Sequence, residues 1–93
     1  MKNTNNCKQA NTDYNGWKNR QTWNVSLWIN NDESLYKSAI GFMNTHQKSR
    51  CPYIQFIKDL CLDGCFTPDK IKWDGEKLDY KELNEMMKGL IEN

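Results

Sequence analysis

Apolar side chains recur at helical spacing in three separate stretches of this chain, and that period limits the fold more than any other feature. Between 33 and 47, Leu35, Ala39, Phe42, Met43 and His46 fall at i, i+4, i+7, i+8 and i+11. These positions share one side of a helix with about 3.6 residues per turn. Tyr36 and Ile40 widen the stripe, and Asn31 or Asp32 stands where an N-cap is needed. Pro52 suits a first helical position, and Tyr53, Ile54, Ile57, Leu60 and Cys61 then line one side until Gly64, read as the stop. A last helix opens with Asp79 as N-cap and Glu82 three residues on, the spacing of a capping box. Its Leu83, Met86, Met87, Leu90 and Ile91 keep the period to the C-terminus.

The stretch 22–30 fits two templates. Trp23, Val25, Leu27 and Ile29 alternate with Asn24, Ser26, Trp28 and Asn30, a strand pattern broken only at Trp28. As a helix it puts Trp23 and Leu27 together, with Val25, Trp28 and Ile29 on other faces, so a helix here needs partners on nearly every side. A strand needs a partner too, and the one short candidate is 70–73, a pair too small to be stable alone. We therefore expect an all-α domain of about four short helices. The alternative is an α+β fold with a minimal two-stranded pairing of 22–30 and 70–73. The segment "CFTPDKIKWDGEKL" carries Pro68 and Asp74-Gly75 and is expected to be a structured loop with Trp73 buried.

With 93 residues, one domain is expected, over 15–93, behind a polar, Asn-rich arm at 1–14 that we read as flexible. Aromatic residues make up 12% of the chain, enough for a small packed core. Thirteen Lys and Arg against twelve Asp and Glu leave a net charge of +1, a weak electrostatic attraction for nucleic acid or anionic lipid. No apolar run approaches the roughly 18 residues of a membrane span, and the N-terminus lacks the apolar centre of a signal peptide. The expectation is a cytoplasmic protein with no membrane partner, its cysteines free thiols.

Four chemistries can be weighed on these residues. His46, Cys51, Cys61 and Cys65 supply the donor count of a zinc site, but not the spacing of a standard knuckle, so the plainer reading makes Cys51 and Cys61 small core hydrophobes. Catalysis finds one histidine, no nucleophile–base pattern and no phosphate loop; Asp59 and Asp63, one turn apart, fall opposite the apolar face. No enzymatic activity and no cofactor are expected. Nucleic-acid binding could use Lys18, Arg20 and the tryptophans as cations and stacking platforms. Protein recognition could use the same run, because Trp and Arg dominate interface hot spots. The candidate partner-binding residues are Trp17, Asn19, Arg20, Trp23, Asn24 and Trp28, weighed against a purely structural use in which Trp23, Leu27 and Trp28 enter the core.

Asn19, Thr22, Trp23, Asn24, Val25, Leu27, Trp28, Asn31 and Asp32 spell Asn-x-x-Thr-Trp-Asn-Val-x-Leu-Trp-x-x-Asn-Asp. This block resembles a family of short, mostly uncharacterised proteins of tailed bacteriophages. "ESLY", "TPDKIKW" and "LDYKELNEMM" extend the similarity over about 15–92. Arg20-Gln21 departs from that family's pattern, and the cysteines lie outside the shared block. The resemblance implies a phage source and a helical fold, not a mechanism. We read the chain as an accessory protein that binds a host protein stoichiometrically in the host cytoplasm, inhibiting or diverting a host enzyme or defence system, with a small nucleic-acid-binding module as the alternative.

Overall fold

Four helices carry the chain in a computed structural model that describes residues 16–92. The arm expected at 1–14, with Cys7, lies outside the described residues. The helices are α1 (Arg20–Asn31), α2 (Glu33–Thr45), α3 (Pro52–Asp59) and α4 (Tyr80–Gly89). The all-α expectation holds. The stretch 22–30 is helix, so the two-stranded alternative is not adopted.

In α1 the buried residues are Thr22, Val25, Ser26 and Ile29, an i, i+3, i+4, i+7 stripe that packs toward α2 and α4. Asn24 is buried as well, on another side of the helix. Trp23 and Leu27, expected in the core, are only half-buried. Hydropathy misjudges this helix because half of its inward stripe is hydroxyl, and those hydroxyls are bonded. Ser26 Oγ donates to the Trp23 carbonyl at 2.8 Å, and Thr22 Oγ1 donates to Asn19 Oδ1 at 2.7 Å.

Asp32 ends α1 and caps α2, accepting from the Leu35 N–H at 3.0 Å. From α2 the core takes Ala39, Phe42 and Met43, whereas Tyr36 is 38% exposed and His46 lies outside, stacked on the Phe42 ring at 4.0 Å. Pro52 is the first residue of α3, as its fixed φ favours. Cys51 offers no side-chain cap; Asn84 of α4 accepts from the Tyr53 N–H at 3.0 Å instead. Phe56, outside the expected stripe, is buried beside Tyr53 and Ile57.

The stop of α3 comes earlier than Gly64. Cys61 sits at φ 59°, its N–H bonds the Lys58 carbonyl at 3.0 Å, and the Leu62 N–H bonds the Ile57 carbonyl at 2.9 Å. That pair is a Schellman motif with cysteine in the left-handed position where glycine is usual. Cys61 is therefore exposed, as are Cys51 and Cys65, which corrects the expectation that Cys51 and Cys61 fill the core. Asp63 lies beyond α3, so Asp59 and Asp63 do not share a helix.

The segment between α3 and α4 contributes Ile71, Trp73 and Leu78 to the core. Tyr53 Oη donates to the Trp73 carbonyl at 2.6 Å, and burial pushes the Tyr53 phenol far up, with Tyr80 and Asp74 adding to the shift. Residues 65–73 fold on themselves. Lys70 N–H bonds the Thr67 carbonyl at 2.8 Å, and Thr67 N–H bonds the Ile71 carbonyl at 2.7 Å. Phe66 and Lys72 form an isolated antiparallel bridge. This is a three-residue hairpin loop, Pro68-Asp69-Lys70, whose third residue stands at φ 70°. Residues 70–73 thus find a β partner in 65–67, not in 22–30.

Candidate functional site

The block at 19–32 is used first as two internal clasps. In one, Asn19 caps α1, its Oδ1 accepting from the Thr22 N–H at 2.8 Å, while its Nδ2 donates to the Lys77 carbonyl at 2.7 Å. Thr22 Oγ1 in turn accepts from the Asp79 N–H at 2.9 Å. Asp79 caps α4 by accepting from the Glu82 N–H at 3.0 Å, but Glu82 does not complete a reciprocal box. Its carboxylate accepts from the Lys18 N–H at 2.9 Å. The starts of α1 and α4 are therefore tied across the fold by groups that a local capping box would have kept within α4.

In the other clasp, Asn24 Nδ2 and Trp28 Nε1 both donate to Asp69 Oδ2, at 2.7 Å and 2.9 Å. Thr67 Oγ1 donates to Asn24 Oδ1 at 2.8 Å, so the 65–73 hairpin is pinned to α1. The bond from Asn24 and then that from Trp28 hold the Asp69 carboxyl below its ordinary value; desolvation opposes them and the Arg20 charge helps. Asp69, Thr67 and Asp79 were invisible as partners in the sequence, since 41 to 57 positions separate them from the residues they bond.

Of the six candidate binding residues, Asn19, Asn24 and Trp28 thus spend their polar groups inside the molecule. Arg20 is exposed at the start of α1. Trp17 packs against the core with part of its ring outside, and it lines two shallow clefts. One, about 220 Å³, runs along α1 between Trp17, Trp23, Ser26, Leu27, Asn30 and Asn31. The other, about 440 Å³, is bounded by Gly16, Trp17, Glu82, Glu85 and Met86. Trp17 is the ridge between them.

The alternative metal set does not assemble. Among the described residues no three His, Cys, Asp or Glu side chains come together to hold an ion. His46 Nδ1 lies 2.9 Å from the Phe42 carbonyl and 2.8 Å from Thr45 Oγ1, at the end of α2 and bound to its own helix.

A family model described as "Family of unknown function (DUF7249)" matches residues 10–93. The chain belongs to this family. No curated protein matches it, and no solved structure does. In this DUF7249 chain the residues missed by sequence reasoning are the cleft walls Leu27, Asn30, Asn31, Glu85 and Met86. Leu27, Asn30 and Asn31 carried a signal: each is three, four, seven or eight positions from Trp23 or Leu27, the outer stripe of an α1 that is helix. No helix among the described residues is long and apolar enough to cross a membrane.

Proposed function

We propose that this protein is a phage-encoded accessory factor that binds a host protein stoichiometrically in the host cytoplasm, inhibiting or diverting a host enzyme or defence system. The observation that carries the proposal is the Trp17 ridge between two clefts, with exposed Arg20 three residues away. A partly exposed tryptophan anchored on a core, flanked by amides and an arginine, has the composition of an interface hot spot. The partner surface would lay an apolar group in the cleft along α1, a cation against Glu82 and Glu85 on the other side of Trp17, and a carboxylate opposite Arg20. Binding of this kind involves no turnover and no cofactor. The phage source and host setting rest on the resemblance carried by the block at 19–32.

The test is affinity capture from host lysate with wild type, Trp17→Ala and Arg20→Ala, each shown to be folded by circular dichroism. One partner captured by wild type and lost by both variants is the expected outcome. Capture of no partner, or equal capture by the variants, overturns the proposal.

A further inference from the structure

A separate cleft of about 210 Å³ lies on the other flank of α1, lined by Gln21, Lys70, Ile71, Lys72, Gly75, Glu76, Lys77 and Leu78. At about 100° per residue, Gln21 points roughly 160° away from Trp23, so this cleft and the Trp17 ridge are independent surfaces. Its floor is apolar, since Ile71 and Leu78 are 9% and 5% exposed. Its rim carries three lysines against one glutamate. Among the described residues the ion pairs are Lys18–Asp79 and Lys37–Glu33, so none of the three lysines is neutralised by a direct partner there. The neighbouring Asp69 carboxylate keeps its charge, because Asn24 and Trp28 are neutral donors, but it does not line the cleft.

Lys70 is the informative residue. It occupies the left-handed position of the hairpin loop at φ 70°, where glycine carries no steric cost and a lysine does. A non-glycine residue kept in a disfavoured backbone conformation beside a cleft is a reason to look for function. We propose that this cleft binds a phosphate group carried on a nucleotide, either free or within a single strand. Lys70, Lys72 and Lys77 bind the phosphate oxygens, and the sugar or base lies over Ile71 and Leu78. Lysine suits this role as a mobile point charge. A near-neutral protein needs such a local excess of cations to attract phosphate at all.

The test is titration of a single-stranded oligothymidylate, a nucleoside monophosphate and inorganic phosphate, at low and at fourfold higher salt, by anisotropy or NMR shifts. For the oligonucleotide, two or three neutralised phosphates give a salt slope of about −1.4 to −2.1, which is a loss of roughly 7- to 18-fold in affinity over that salt range. Lys70→Gly should weaken binding about fivefold and flatten the slope by about one phosphate contact, while its unfolding midpoint stays level or rises. That combination separates lost binding from lost folding. Lys72→Gln/Lys77→Gln should abolish binding. Binding of the oligonucleotide alone identifies a strand as the source of the phosphate, and binding of the monophosphate as well identifies a free nucleotide. The proposal fails if neither nucleotide probe binds at low salt, or if Lys70→Gly binds as wild type does.

Discussion

Replacing Thr22 by valine tests the clasp between α1 and α4 with a change of sign. Thr22 is fully buried on a helix stripe shared with Val25 and Ile29, so hydropathy alone would make Thr22→Val stabilising. The geometry predicts the opposite. The hydroxyl donates to Asn19 Oδ1 and accepts from the Asp79 N–H. Losing the first bond costs little, because Asn19 Oδ1 still caps the Thr22 N–H. Losing the second leaves the Asp79 N–H without a replacement: the Asp79 carboxylate serves the Glu82 N–H and the Glu82 carboxylate serves the Lys18 N–H. An orphaned donor costs about 1–3 kcal/mol where water cannot replace the lost partner; this part-buried N–H is taken at about 2 kcal/mol. For a domain of this size that lowers the thermal midpoint by about 8–16 °C. Thr22→Ser keeps both bonds and loses one methyl, about 0.8 kcal/mol, so serine should be better tolerated than valine. Thermal and urea unfolding of the three proteins decides it. A valine variant as stable as wild type, or more stable than the serine variant, refutes the clasp.

Three further outcomes follow from single residues. The Asp69 carboxyl is held below its ordinary value in the folded chain, so its contribution is present above the unfolded carboxylate range and is lost as pH falls through the folded value. The urea midpoint of wild type should therefore drop more between about pH 7 and about pH 3 than that of Asp69→Asn. Equal drops would show that the Asn24 and Trp28 bonds do not bias this carboxyl. The Tyr53 phenol is pushed up by burial, so its share of stability is intact below the ordinary tyrosine range and fades above it. Its ultraviolet ionisation should appear only with alkaline unfolding, and Tyr53→Phe, which orphans the Trp73 carbonyl, should cost about 1–2 kcal/mol in urea. Cys61→Gly should stabilise by about 0.5–1 kcal/mol, because glycine relieves the left-handed backbone at the end of α3. A lower urea midpoint for that variant would contradict the Schellman assignment.

The sequence alone determined what depends on neighbours along the chain. The period of Ala39, Phe42 and Met43, or of Leu83 and Met87, is written within a few turns of each helix. Asp32, Pro52 and Asp79 mark helix starts through local hydrogen bonds and a fixed φ. Trp73 declared its burial because so large an apolar ring in a small chain needs a core. Only the tertiary structure decided how α1 is used. Thr22 and Ser26 belong inside because partners at Asn19, Trp23 and Asp79 satisfy their hydroxyls. Asn24 and Trp28 turn to the hairpin because Asp69 waits there. Hydropathy ranks a side chain by its transfer from water, whereas the fold ranks it by whether its polar atoms find partners once water is gone. For the same reason the block that looked like one aromatic platform divides in two. Its amides and one indole hold the fold together, whereas Trp17 and Trp23 line clefts at the surface.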